Sequence, residues 1–417
     1  MSSKKLRVGM IGAGFISRFQ SAAMEQVRNM ELAGIYSLEG AEKLAASAKK
    51  RRLGPAKVYS SIRELVNNVD AAAIYCPNYA RVDVMEEIVD AVKAGAELKG
   101  VICEKPLGRN VAEARRLVDL AKEANLRTAY FENQLHMKMI KAQLKQLEPQ
   151  QKSMGSLTLT RSSEEHGGPH EPWFWDPTKQ GGGVLCDMGC HSIAVGWYCL
   201  TPYDRPITFL RPASVSCEMG LLKWGLPYWR YKLLKDTGID YTKTPAEDFC
   251  TGIITYQNPV SDQVVKAQFT NSWMFEKQGL RLFMDGMGPG YAFEINTLSS
   301  PVNIFIGDMA AEATADSEAA LEKSTASRGL LPILHNEADL YGYTDENVDA
   351  AQAFMKKKDA FLPLSYGLEI TKLVMAAYMA AERKKTIDLT DPDVQDELET
   401  FVPAIQQGGG ADVLPVL

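Results

Sequence analysis

The sequence predicts an α/β protein of two domains: an N-terminal doubly wound parallel sheet, then a C-terminal α+β domain built on a large, open, mostly antiparallel sheet. Three observations predict it. A short apolar run, Leu6 to Ile11, empties at once into a glycine turn at Gly12 and Gly14. Apolar strand-like runs then alternate with amphipathic helical stretches as far as about Leu135, the pattern of βαβ units. From Ser156 onward the segments alternate or run apolar between turns, as antiparallel strands do. A chain of 417 residues, 46% hydrophobic, is long enough for two cores. The expected boundaries are 1–135, 136–390 and a glycine-bearing tail at 391–417, read as loose or partner-contacting.

Taken in order, the run LRVGMI is a buried strand, and Gly12-Ala13-Gly14-Phe15-Ile16-Ser17 is a turn opening a helix to about Val27. This is the strand, glycine turn and helix start of a dinucleotide-binding Rossmann unit. Glycines let backbone approach a diphosphate, whose charge the helix N-terminus stabilises. Ser17 stands where the fingerprint has a third glycine. A second strand, Glu31 to Ser37, ends in Ser37 where an acid usually holds the ribose hydroxyls, with Glu39 two residues on. Serine leaves room for a 2′-phosphate, but no arginine follows to pair with one. NAD is therefore expected and NADP not excluded.

A helix near Ile62 to Asn67 precedes a strand at Ala71 to Tyr75, which ends in the loop Cys76-Pro77-Asn78 at the carboxyl edge of the sheet, where ligands sit in such folds. After a helix over Val82 to Ala94, the run from Gly100 empties into Glu104-Lys105-Pro106. Proline stops the strand there, so Glu104 and Lys105 are expected to face the cofactor crevice. A helix at Val111 to Ala124 and a strand at Arg127 to Phe131 lead to Glu132-Asn133-Gln134. In the second domain, strands are expected at Gly155 to Ser162, Ile207 to Met219, Phe249 to Tyr256, Val264 to Ser272, Leu280 to Met284 and Val302 to Ile306. Helices return at Asn347 to Lys357 and Leu368 to Arg383.

The stretch GGGVLCDMGCH, Gly181 to His191, opens a strongly apolar helix. Asp187 and His191 are four apart, so a helix stacks them on one face. An acid beside an imidazole orients it and handles protons. In isolation the spacing equally suits a capped turn and a satisfied core histidine. Just upstream, His166, His170, Trp173 and Trp175 fall within one short loop. Aromatic faces pack on the C–H faces of sugar rings and imidazoles bind hydroxyls, so the loop reads either as a substrate wall or as an anchor for the domain. No two of the histidines in this region share the compact H-x3-H spacing on one helix, and no metal is expected.

Forty-six Lys and Arg against 52 Asp and Glu give a net charge of −6, with no basic stripe for nucleic acid. Seven cysteines without a C-x-x-C pair read as reduced thiols. The N-terminal text has no secretory h-region and no apolar run reaches spanning length, so a cytoplasmic protein without membrane contact is expected.

Together the G12-x-G14 turn, Pro77-Asn78, Glu104-Lys105-Pro106, Asn133, Gly182-Gly183-x3-Asp187-x-Gly189-x-His191 and the late Thr386-Ile-Asp-Leu389 resemble the Gfo/Idh/MocA family of glucose-fructose oxidoreductase and inositol dehydrogenase. The resemblance implies a nicotinamide dinucleotide held by Gly12, Gly14, Phe15, Ile16, Ser37, Cys76, Pro77, Asn78, Glu104, Lys105 and Asn133. It implies Lys105, Asp187 and His191 as the catalytic set, and a sugar, glycoside or cyclitol as substrate; with the side chains of the upstream loop, which is peculiar to this sequence, the expected substrate contacts are His166, His170, Trp173, Trp175, Asp187 and His191. The expected activity is hydride transfer between a secondary hydroxyl and nicotinamide, in a homo-oligomer, dimer or tetramer. Two alternatives on the same fold are an NAD-dependent glycoside hydrolase working through transient oxidation, and a non-catalytic dinucleotide-sensing regulator. One departure is Arg81, where many members carry histidine three residues after the asparagine.

Overall fold

A computed structural model describes residues 5–276, 280–299, 303–306, 329–332 and 336–414. It divides into two compact units, Met1–Lys138 with Ala338–Thr371, and Met139–Glu337 with Lys372–Leu417.

The first unit carries a six-stranded sheet in the order β3-β2-β1-β4-β5-β6. The strands are β1 Leu6–Ile11, β2 Met30–Tyr36, β3 Lys57–Val58, β4 Ala71–Ile74, β5 Gly100–Glu104 and β6 Arg127–Phe131, and every pair is parallel. β4 (AAAI) and β5 (GVICE) are buried throughout, because helices cover both faces of such a sheet and leave no polar side. The helices are α1 Phe15–Ala23, α2 Ala41–Lys50, α3 Ile62–Val66, α4 Arg81–Lys93 and α5 Val111–Glu123. Ser61 and Asn110 cap α3 and α5 by accepting the N–H three residues on. The order reverses between β1 and β4, and that switch point opens the crevice where ligands of doubly wound sheets bind.

The chain returns to this unit late. The helix Tyr343–Met355 buries Tyr343, Asn347, Ala350, Ala351 and Phe354, one helical stripe, and its last three join the core of the strands. The linear boundaries expected from the sequence left this segment with the second domain. Beyond it, residues 359–362 line the outer edge of β6: Asp359 accepts from Thr128 N at 2.7 Å, and Tyr130 N donates to Leu362 O at 2.7 Å. An otherwise open sheet edge is thereby covered.

The second unit carries a seven-stranded sheet in the order β12-β11-β7-β10-β9-β8-β15. Its strands are β7 Leu159–Glu165, β8 Arg211–Gly220, β9 Phe249–Gln257, β10 Val264–Ser272, β11 Arg281–Gly288, β12 Tyr291–Asn296 and β15 Ile387–Asp388. β7 and β10 pair in parallel and the other pairs are antiparallel. A two-stranded ladder joins β13 Asn303–Ile306 to β14 Gly329–Pro332. Val302 of the strand expected there lies outside the described residues. The helices are α6 Lys138–Met154, α7 Pro177–Gln180, α8 Cys190–Leu200 and α9 Pro227–Thr237.

Burial alternates along β9 and β10, so one face of the sheet is packed. α8 lies close on that face: a Cβ on Gly196 would stand 2.9 Å from Ala267 Cβ. The tail, expected to be loose or to contact a partner, packs into this unit and is not loose over its described residues. Asp391 caps the helix Pro392–Leu398, Ile405 and Leu414 are buried, and Gly410 sits where any Cβ would meet Pro245 O. Residues 415–417 lie outside the described residues.

Candidate active site

The glycine turn shows two different uses of a missing side chain. Gly12 has φ +113, and a Cβ there would lie 2.8 Å from Tyr75 O, so strand and turn close only around glycine. A Cβ on Gly14 would meet nothing within 4 Å. Gly14 is exposed and is the N-cap of α1, with no side-chain cap. Open space thus lies beside Gly14 at the N-terminus of α1, the end of a helix that receives a diphosphate. Ser17 is buried and donates to Gly12 O at 2.9 Å, so the small third residue also pins the turn. Ser37 follows β2 directly. These residues fit a dinucleotide.

Beyond β4, Asn78 is buried and Cys76 half-buried. Burial pushes the Cys76 thiol up to about 11, so it stays neutral and unreactive near neutral pH. Glu104 departs from expectation. Its carboxylate turns into the interior, accepting from Gln20 Nε2 at 2.8 Å and from its neighbour's backbone, Lys105 N, at 3.2 Å. The same Gln20 amide donates to Glu346 Oε1 at 2.8 Å, and Asn347 donates to Gln20 Oε1 at 2.6 Å. Glu104 therefore secures Lys105 from beneath and binds the late helix to the sheet. Asn133, expected at the cofactor, gives its amide to Tyr341 O at 2.7 Å, which makes it a tie to that late segment.

In the second unit the glycine run serves a protein neighbour. A Cβ on Gly182 would lie 2.0 Å from Tyr378 Oη, and one on Gly183 2.1 Å from Glu247 O. Glu247 is fully buried and accepts from Gly183 N and Leu185 N at 3.0 Å and from Tyr378 Oη at 2.6 Å. Burial nevertheless lifts its carboxyl to about 7. The segment Leu185–Gly189 is then a π-helical turn that runs into α8. The sequence pattern suggests one regular helix. Such turns recur at functional sites, and this one carries Asp187 at its centre. Asn271 braces the turn through Nδ2, which donates to Ser192 Oγ at 2.8 Å and to Met188 O at 3.4 Å.

Two acid–imidazole rungs result. Asp187 Oδ2 lies 3.9 Å from His166 Nε2 and accepts from Trp273 Nε1 at 3.3 Å. His191 Nε2 lies 4.0 Å from Glu164 Oε2. Glu164 and His166 share one face at the end of β7, two residues apart, while Asp187 and His191 come from the helical side. All four are buried. His166 Nδ1 accepts from Gly168 N at 3.0 Å, which leaves Nε2 as the protonated nitrogen facing Asp187. The spacing suggested Asp187 orienting His191; the acid–imidazole partners come instead from the strand side, His166 for Asp187 and Glu164 for His191. Glu164 and Trp273 were missed. A sign of Glu164 existed in the polar text LTRSSEEH, but both parities of that strand are polar, so neither is marked as inward.

The aromatic loop divides. Trp175 is a core anchor, buried, with ring centroids 4.4 Å from Trp224, 5.1 Å from Trp273 and 6.2 Å from Tyr241. Its expected role as a substrate wall gives way to the anchoring one. Trp173, stacked on Phe174 at 3.9 Å, and His170 are half-buried. Lys105 belongs to the first unit and the two rungs to the second.

A unit with the strand, glycine turn and helix of a nucleotide-binding fold, in one chain with a sheet bearing buried acid–imidazole pairs, defines the class: a two-domain protein built on a Rossmann fold. Residues 6–132 match the family model described as the oxidoreductase family, NAD-binding Rossmann fold, and residues 144–287 match the GFO/IDH/MocA C-terminal domain. The chain belongs to the GFO/IDH/MocA family. It is 26% identical over 196 residues to glucose-6-phosphate 3-dehydrogenase of Bacillus subtilis, covering 46% of this chain and 53% of that one. To the D-glucoside 3-dehydrogenase of Escherichia coli it is 27% identical over 205 residues, 48% of this chain and 55% of that one. The chain thus spans about half the length of these relatives. The crystal structure of GenD2 from gentamicin A biosynthesis in complex with NAD superposes with a TM-score of 0.71 at 17% identity, over 93% of this chain and 97% of that one, a likeness of fold.

Proposed function

We propose that the protein is an oxidoreductase moving a hydride between nicotinamide and a secondary hydroxyl of a sugar, glycoside or cyclitol, with NAD as cofactor. The observation that carries this reading is the pair of buried rungs, Asp187 with His166 and Glu164 with His191, in a chain whose other unit is an NAD-binding Rossmann fold. Bound nicotinamide supplies the hydride acceptor. Gly12 and Gly14 admit the diphosphate, and the first turn of α1 offsets its charge. The His191 imidazole takes the hydroxyl proton, and the Glu164 carboxylate stabilises the cation so formed. His166, held as the Nε2–H tautomer, sets its imidazole 3.9 Å from the Asp187 carboxylate, and that carboxylate accepts from a second substrate hydroxyl. The Lys105 ammonium stabilises the developing oxyanion. General-base help of this kind contributes about 10²- to 10⁴-fold. His170 and the outer face of Trp173 border the sugar.

Seven cysteines, none of them in a disulfide among the described residues, suit a reducing, cytoplasmic setting. Exposed Ile253 and Val264 on the outward face of the seven-stranded sheet suit a homo-oligomer, dimer or tetramer.

The test is to denature the purified protein, identify any released dinucleotide, and score a panel of sugars, glycosides and cyclitols for reduced-nicotinamide absorbance and for cleavage. Reduction stoichiometric with substrate oxidation is expected. Glycoside cleavage without net reduction would transfer the site to hydrolysis. Dinucleotide binding with neither reaction across the panel would overturn the reading.

A further inference from the structure

Arg81 stands at the start of α4, where a solvated side chain would be ordinary, yet it is 4% exposed. Its guanidinium meets no carboxylate among the described residues. It meets four backbone carbonyls instead: Nη1 donates to Glu104 O at 2.7 Å and to Pro106 O, Nη2 to Lys105 O at 3.1 Å, and Nε to Cys76 O at 3.5 Å. Burying a cation on neutral acceptors is costly, and a planar fork of five donors is the side chain that can hold so many at once. The acceptors lie in the loop after β4 and at the end of β5 with the loop that follows it, and the two strands are neighbours. Lys105 is thus gripped at its own carbonyl and at that of Glu104, while the Glu104 carboxylate holds its N–H.

We infer that Arg81 is the positioning residue for Lys105, an inference that rests on the role proposed above for the Lys105 ammonium. The guanidinium fixes the lysine backbone on both sides and locks it to the loop that carries Pro77 and Asn78. Only the side-chain torsions of Lys105 are then left to place its charge. A shift of about 1 Å in such a group is worth about 10²-fold in rate.

Arg81→Ala and Arg81→Lys are compared with Lys105→Ala and the double variant Arg81→Ala/Lys105→Ala, each checked for folding by circular dichroism. Arg81→Ala is expected to lower kcat about 100-fold with the KM for the hydroxyl substrate within about threefold. Added guanidinium should restore at least about tenfold of this loss. Arg81→Lys should lose turnover without responding to guanidinium. The double variant should be no more than about threefold slower than Lys105→Ala, since both losses act through one ammonium. Independently of turnover, the acylation rate of Lys105 relative to surface lysines, read by mass spectrometry, should change at least about tenfold in either Arg81 variant. An unchanged labelling rate, losses that multiply, or a kcat within threefold of the parent would overturn the inference. Where Arg81→Ala does not fold, Arg81→Lys and its labelling rate decide. A parent protein without turnover refutes the proposed reaction, while the labelling comparison still decides the role of Arg81.

Discussion

Replacing Glu247 by glutamine tests whether burial or hydrogen bonding governs the carboxyl under the π-helical turn. Four donor contacts from Gly183 N, Leu185 N and Tyr378 Oη favour the ionised form. Burial opposes it and prevails, raising the group from 4.5 to about 7. Between those values the native protein keeps a proton that the unfolded chain releases. The stability this contributes is complete below about pH 4.5 and is lost as pH rises through about 7. At about 1.4 kcal/mol per decade, the loss by pH 8 is about 3 kcal/mol. Glutamine has the same shape and does not titrate. Urea unfolding of both proteins at pH 5, 6, 7 and 8, read as the midpoint at constant m, should therefore show the variant gaining about 2 to 3 kcal/mol on the parent across the range, since part of the loss already lies below pH 5. Parallel profiles would mean that the surrounding donors keep Glu247 charged throughout, and would refute the argument from burial.

Three further substitutions separate binding, folding and chemistry. Gly14→Ala adds a methyl group where the protein has nothing within 4 Å and φ is −73; the unfolding midpoint should hold while NAD affinity by titration falls at least about tenfold, or 1.4 kcal/mol. Gly183→Ala drives a Cβ to 2.1 Å from Glu247 O and should cost about 3 kcal/mol or more, seen as a lowered denaturation midpoint; a neutral result would mean that the segment 181–185 shifts freely. Glu164→Gln removes the acid 4.0 Å from His191 and should lower kcat at least about tenfold with NAD affinity unchanged. Full turnover in that variant would leave Asp187 as the acid that matters.

Local patterning accounts for most of what the sequence disclosed. The buried runs at Leu6 to Ile11 and Gly100 to Glu104 are legible because a strand covered on both faces must be apolar at every position. The turn at Gly12 is legible because its chemistry lies within six residues of chain. The helix Tyr343–Met355 was partly visible from its stripe, starting four residues earlier than expected. Its attachment to the first unit was not, since a stripe reports that a face is buried without naming the surface that buries it. The strand β12 and the helices α6 and α9 carry weaker patterns and were not anticipated.

By itself, then, the sequence determined the alternation of the first unit, the glycine cradle and the change of texture after residue 156, and it pointed to Lys105, Asp187 and His191, the residues for which the chemistry is proposed. Only the tertiary structure decided what each of these touches. Glu164 faces His191, His166 faces Asp187, Glu104 turns inward to Gln20, and Arg81 closes on the carbonyls around Lys105. Those partners lie from 21 to 84 residues apart in the chain, and side-chain periodicity carries information only over the few residues of one turn or one pleat. A long-range hydrogen bond leaves no such mark on the text.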